Sequence, residues 1–197
     1  LFNGVDIERI RSVMPLERPP DARPAIFFCG RHEERKGLRV LIEAFDRLDV
    51  EAEVWIASNG PDTAELTRLT AGDERVQWLG RIDDEEKFAR LGAADVFCAP
   101  SLGGESFGVV LIEAMAAGTT VVASRLDGYL NVATDESDAL LAEPGDAAAL
   151  AHALWRAITD RDLAARLRHG GSERAQSFAM STLVNRYVEI YRDLIAR

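Results

Sequence analysis

The feature that most constrains this chain is a repeated alternation of short apolar runs with stretches of helical spacing. Runs of strand length fall near residues 25–30, 53–58, 75–79, 94–99, 120–124 and 139–142, and helical patterns near 36–48, 62–71, 84–92, 107–117 and 146–158. Parallel neighbours cannot be joined by a hairpin, so strands that alternate with helices call for a parallel sheet with crossover helices. The expected fold is α/β: a Rossmann-like parallel six-stranded sheet over residues 25–177, with helices on both faces. Ahead of it, residues 18–24 (Arg-Pro-Pro-Asp-Ala-Arg-Pro) hold three prolines that lack donors and restrict their neighbours, so residues 1–24 read as an entry segment and linker. After it, residues 178–197 read as a C-terminal helix whose Leu183, Tyr187, Ile190, Tyr191 and Leu194 share one face. That face packs on its own sheet or on another domain.

Composition narrows the function classes. A length of 197 residues suits one core, and 47% apolar content is too high for disorder, while the apolar runs are too short to cross a bilayer. The formal charge of −10 opposes general binding to nucleic acid or anionic lipid. An anionic ligand therefore needs a local cationic pocket. Cys29 and Cys98 sit in apolar, strand-like runs rather than in a disulfide or metal-clip pattern, which suits a reducing cytoplasmic setting. His32, His152 and His169 lack ligand spacing, so no metal is expected. Residues 1–6 read as mid-chain sequence, without a basic-then-apolar leader, and the chain is expected to be part of a longer protein.

Open parallel sheets bind ligands beyond the carboxyl ends of their strands. The loop after the first strand, Gly30-Arg31-His32-Glu33-Glu34-Arg35-Lys36-Gly37, has neither a dinucleotide nor a P-loop fingerprint. Arg31 and Lys36 flank it and are placed to converge on a diphosphate, each contributing about 1.5–3 kcal/mol. Of 23 basic residues only Lys36 and Lys87 are lysines, and both fall in such loops. A solvated loop of mixed charge would read the same way from these residues alone. In the loop after the third strand, Asp83 or Asp84 is positioned to accept the paired N–H donors of guanine, although an acidic helix start favoured by the macrodipole gives the same pattern.

The loop after the fourth strand carries the strongest signal: Pro100-Ser101-Leu102-Gly103-Gly104-Glu105-Ser106-Phe107-Gly108, then an apolar helix to Gly118. Ser106 is the expected N-cap, leaving the amides of Phe107, Gly108 and Val109 free for a phosphate. Glu105 precedes the helix and Glu113 is expected about two turns into it. Carboxylates beside a diphosphate are repelled unless they take hydroxyls, so Glu113 is aimed at a ribose diol and Glu105 at a sugar. Glu113 also stands among apolar neighbours and needs a partner. The same residues spell G-x-S-x-G, the hydrolase nucleophile elbow, with Asp127 or Asp146 and His152 or His169 as the other members. Against that, five residues separate Pro100 from Ser106 and no oxyanion loop appears.

These residues together resemble the carboxyl-terminal domain of retaining GT-B glycosyltransferases of family 4. The marks are Asn3-Gly4-Val5-Asp6, Gly30-Arg31 with Lys36-Gly37, and Glu105 and Glu113 followed by Ala114-Met115-Ala116-Ala117-Gly118. Within that family the chain is similar to the phosphatidyl-myo-inositol mannosyltransferases through Asp95-Val96-Phe97-Cys98-Ala99-Pro100, Gly103-Gly104-Glu105-Ser106-Phe107-Gly108, Val121-Val122-Ala123-Ser124, and Leu79-Gly80 with Asp83-Asp84 and Lys87. Thr120, where many relatives have proline, and Asp127-Gly128-Tyr129-Leu130-Asn131, without the glutamate often seen there, depart from the pattern.

The resemblance implies one half of a GT-B fold and a donor site for GDP-mannose, with no cofactor beyond that substrate. It puts Arg31 and Lys36 on the diphosphate, Glu113 on ribose and Glu105 beside the mannosyl group. Gly30, Ser106, Phe107, Gly108 and Val109 line the phosphate and sugar, and Ile82, Asp84 and Lys87 surround guanine. It implies a lipid acceptor and membrane contact held by an amino-terminal domain at the inner face of the plasma membrane. On its own the chain is then expected to bind GDP weakly and to transfer nothing. A UDP-sugar donor and a non-enzymatic nucleotide-binding regulator are the alternatives.

Overall fold

The computed structural model describes residues 4–195, and in the last helix the side chains of residues 185–187, 189–191, 193 and 194 lie outside the description. In chain order the helices are α1 (Ile7–Ser12), α2 (Leu38–Asp46), α3 (Thr63–Leu69), α4 (Asp84–Ala93), α5 (Val109–Ala117), α6 (Asp127–Leu130), α7 (Ala147–Thr159), α8 (Arg161–Gln176) and α9 (Met180–Ile195). The strands are β1 (Ala25–Cys29), β2 (Glu53–Ala57), β3 (Val76–Gly80), β4 (Val96–Ala99), β5 (Thr120–Ser124) and β6 (Leu140–Ala142). They form one parallel sheet in the order β3-β2-β1-β4-β5-β6. The order reverses between β1 and β4, which opens a crevice at their carboxyl ends.

The apolar runs are continuous rather than alternating because each central strand is buried on both faces. Ile26 and Phe28 of β1, Val54 and Ile56 of β2, and Val96 and Cys98 of β4 face one core with Leu41, Phe45, Leu150 and Leu154. Ala25, Phe27, Trp55, Phe97, Val121 and Ala123 face the other, with Leu91, Leu111 and Met115. Helices α2 and α7 thus cover one side and α4 and α5 the other, while α8 reaches both, with Leu163 and Leu167 in the first core and Ala175 in the second. No helix among the described residues is long and apolar enough to cross a membrane.

Two expectations need correction. The helix near 36–48 begins later, because residues 34–36 form a 3₁₀ turn and Gly37 then adopts a left-handed conformation, φ 68°, before α2 starts. The helix expected over 178–197 is α9, but the stretch before it, with no helix expected, forms α8, and the two are separated at residues 177–179. At that break the Val5 amide donates to the Phe178 carbonyl at 2.9 Å and the Met180 amide donates to the Val5 carbonyl at 3.0 Å. Of the apolar face expected on the tail, Leu183 is buried, and the side chains of Tyr187, Ile190, Tyr191 and Leu194 lie outside the described residues, as does Asn3. The proline-rich entry is neither helix nor strand. Arg18 pins it down, donating to Asp95 at 3.0 Å and to Glu53 at 3.2 Å and lying over the Trp55 ring.

Gly37 has no room for a side chain: a Cβ there would lie 1.9 Å from the Pro100 carbonyl oxygen. Gly72, with φ 90°, has nothing within 4 Å of its Cβ position. Gly37→Ala is therefore expected to cost about 2–4 kcal/mol and Gly72→Ala only about 1 kcal/mol, the backbone penalty without the clash. Urea unfolding of the two variants measures the difference, and equal losses would contradict the close approach.

Candidate functional site

The crevice at the switch point is walled by the loops that follow β1 and β4, and the two are stitched together. Gly37 lies against Pro100, the Leu102 amide donates to the Arg35 carbonyl at 2.8 Å, and Arg35 Nη1 donates to the Gly104 carbonyl at 3.3 Å. Across this seam Lys36 Nζ donates to Glu105 Oε1, with both side chains mostly buried. Ser101 Oγ donates to the same Glu105 oxygen at 3.0 Å and contacts Tyr129 Oη at 3.0 Å. Behind the loop, α6 makes the back wall, where a Cβ on Gly128 would lie 2.0 Å from the Glu105 carbonyl oxygen.

Ser106 does not cap α5. It is exposed, and the cap is Gly108 in a left-handed conformation (φ 87°), with no side chain bonded to the helix start. Three glycines, two of them (Gly104 and Gly108) left-handed, let this loop turn before the helix begins, so the helix starts at Val109 and Glu113 lies one turn in, not two. The expected property survives the change of cap: the first amides of α5 point out of the helix uncapped by any side chain, with the positive end of its dipole. The helix ends as expected at a left-handed Gly118.

Glu113 has the partner its apolar neighbourhood demands. Lys87 Nζ donates to Glu113 Oε1 at 3.0 Å and lies 3.2 Å from Asp84 Oδ1. Burial alone would push the Lys87 ammonium down, but Glu113 and Asp84 hold it above its ordinary value. The neighbouring aspartates divide their work: Asp83 accepts from the Glu86 amide at 2.8 Å as the N-cap of α4, which leaves Asp84 to Lys87. Cys29, at the end of β1, lies near this cluster, and burial pushes its thiol up to about 11, with Lys87 opposing and Glu113 and Asp84 reinforcing the shift.

The remaining expected residues are dispersed around the crevice. Ile82 packs on the core, and the Phe107 ring meets Phe178 edge-on with centroids 5.6 Å apart. Val109 is exposed at the first turn of α5, and Gly30 follows β1 with the Phe28 ring beneath it. Arg31 is not brought to Lys36. Its side chain is 68% exposed, near Glu33, and lines a separate hollow with Ser58, Asn59 and Arg81. His32 is buried between Thr63 and the Ala57 carbonyl, and burial pushes its imidazole down; it ties two loops together.

The hydrolase arrangement is absent among the described residues. Ser106 stands seven residues beyond the end of β4 rather than on a strand-to-helix elbow. His152 stacks on Trp155 in α7, and His169 pairs with Glu173 in α8. Ser101 and Tyr129 were not foreseen. Ser101 directly follows Pro100 at the strand end, a place that merited inspection, whereas nothing in the sequence ties it to a tyrosine 28 positions later.

The chain is similar to known proteins over most of its length. The sequence family described as "Glycosyl transferases group 1" matches residues 23–160. The phosphatidyl-myo-inositol mannosyltransferase of Mycobacterium leprae is 38% identical over 193 residues, covering 96% of this chain and 52% of that protein. Sucrose-phosphate synthase from Thermosynechococcus elongatus superimposes with a TM-score of 0.84 at 31% identity, over 98% of this chain and 52% of that one. HepE from Anabaena in complex with UDP gives 0.85 at 22% identity, over 98% and 56%, a likeness of fold. The chain spans about half the length of the curated relatives it matches.

The position of Cys29 makes a prediction about alkaline stability. Its thiol is raised from 9.0 to about 11 in the fold, so its stabilising contribution is complete below pH 9 and is lost as pH rises to about 11. Cys29→Ala is expected to lose less stability than the parent between pH 8 and 10.5. Urea midpoints at the two pH values test this, Cys98 being common to both proteins, and identical declines would contradict it.

Proposed function

The chain belongs to the group 1 glycosyl transferases, and from that premise we propose that it is the donor-binding half of a retaining mannosyltransferase using GDP-mannose. The mannosyl group passes to a phosphatidylinositol-type lipid held by a second domain, equivalent to the other half of the longer relatives. One observation carries the reading: two lysine–glutamate pairs, Lys36–Glu105 and Lys87–Glu113, stand either side of an uncapped helix start at the sheet's switch point. The mannosyl donor is supported by the 38% identity with the M. leprae mannosyltransferase.

In this reading the diphosphate lies against the first amides of α5, at Phe107, Gly108 and Val109, with Ser106 and Gly30 alongside. Lys36 turns from Glu105 toward the phosphates, because two phosphate groups outbid one carboxylate for an ammonium; a single pair at 4 Å is worth about 4 kcal/mol near a protein surface. Glu105 is then released to accept the sugar hydroxyls, and Arg31 swings in from its exposed position. Glu113 accepts the ribose diol, while Asp84, Lys87 and Ile82 surround the base. The existing contact of Lys87 with both Asp84 and Glu113 puts the base-reading and ribose-reading groups next to one another.

As the glycosidic bond breaks, negative charge grows on the leaving phosphate. Lys36, Arg31 and the helix amides therefore stabilise the transition state more than the bound donor. This half supplies no nucleophile and needs no cofactor. Alone it binds GDP weakly and transfers nothing. Lipid contact, at the cytoplasmic face of the membrane, belongs to the other half, in keeping with the acidic charge of this domain.

A UDP-sugar donor is the second reading, favoured by the likeness of fold to HepE in complex with UDP. Calorimetry on this chain separates them: GDP is expected to bind at least ~10-fold more tightly than UDP. The reverse order overturns the guanine donor. In the full-length enzyme Lys36→Ala is expected to lower turnover by about 10²–10³-fold with an unchanged circular dichroism spectrum. Near-normal turnover would remove Lys36 from the diphosphate site.

A further inference from the structure

We infer that Tyr129 and Ser101 are positioning residues that orient the Glu105 carboxylate for its contact with the donor sugar. The inference rests on the reading of Glu105 given above and deepens it. A carboxylate only accepts hydrogen bonds, so Ser101 must spend its single hydroxyl proton on Glu105 Oε1, 3.0 Å away. The 3.0 Å contact between Ser101 Oγ and Tyr129 Oη is then a bond donated by the tyrosine. Charge on Glu105 therefore sets the direction of both bonds, and a chain of aligned hydroxyls strengthens each link.

The setting is that of a held group. Ser101 and Tyr129 are 2% and 1% exposed. Phenylalanine would fill the same space without a hydroxyl to desolvate, so the buried oxygen needs its partner to be tolerated. Burial pushes the Tyr129 phenol well above its ordinary range, so it keeps the proton that it donates. Ser101 lands on Oε1, the same oxygen that Lys36 holds, so when Lys36 turns to the phosphates this oxygen is still held by the protein and the other is left for a sugar hydroxyl.

Tyr129 also reaches the other end of the same loop. A Cβ on Gly108 would lie 2.8 Å from its Cδ1, so the ring lies against the backbone at the α5 start. One side chain thus sets the spacing between the carboxylate that takes the sugar and the amides that take the phosphate. A carboxylate misplaced by about 1 Å is enough to slow a positioned reaction ~10²-fold.

The test is kinetic, in the full-length enzyme, with GDP binding measured on the same proteins. Tyr129→Phe, which removes one oxygen from a filled site, and Ser101→Ala are each expected to lower kcat about 10–100-fold, with KM for the donor and Kd for GDP within about 2-fold. The double variant is expected to fall no further than the worse single one, because the two act as one chain. Full turnover in Tyr129→Phe, beside a Glu105→Gln variant that has lost it, overturns the inference and leaves the role of Glu105 standing. Full turnover in Glu105→Gln as well overturns the reading of Glu105 itself. Equal losses in turnover and GDP affinity mean that Tyr129 merely supports the loop, and they also overturn the inference.

Discussion

The site depends on one close approach, that of Gly37 to the carbonyl of Pro100. β1 and β4 are neighbours in the sheet, yet the loops that leave them are about seventy residues apart in sequence. Side chains alone would hold such loops loosely, since each long side chain gives up rotamer freedom for every contact it keeps. Backbone against backbone removes that freedom at the source. Once Gly37 is seated, the Leu102 to Arg35 bond closes and Lys36 faces Glu105 with little further ordering required.

That seating also explains how an acidic domain presents cations in a crevice. Both lysines of the chain are there, each neutralised by a glutamate of the β4–α5 segment. A half-buried ammonium without a partner would lose charge, and a half-buried carboxylate without one would take up a proton. Paired, each charge has its opposite within contact distance. The pairs contribute little net stability by themselves, because desolvation offsets most of the attraction. What they provide is charge of both signs already in place, ready to be redistributed among phosphate, ribose and sugar.

The sheet could be read from the sequence because its central strands are buried on both sides, so runs such as Ala-Ile-Phe-Phe-Cys have no polar interruption. The pairing of Glu113 was foreseeable for a similar reason: a charge in the apolar α5 has to be answered. A serine before an apolar helix has the chemistry of a cap, so Ser106 reads as one, and only backbone angles show that Gly108 takes the role. The break between α8 and α9 carries no glycine or proline; it follows from Val5, far away in sequence, pairing with that stretch. Tyr129 and Ser101 were illegible for the same physical cause. Contacts between distant residues leave no local pattern when each residue is ordinary for its own element.

The pairing of Val5 with residues 178–180 has a mechanical side. The segment ahead of α1 and the root of the last helix are laced together by these two backbone bonds. Phe178, at that same place, meets Phe107 of the loop that precedes α5. Both the way in and the way out of the domain are thus anchored at one corner, next to the loop that holds Glu105.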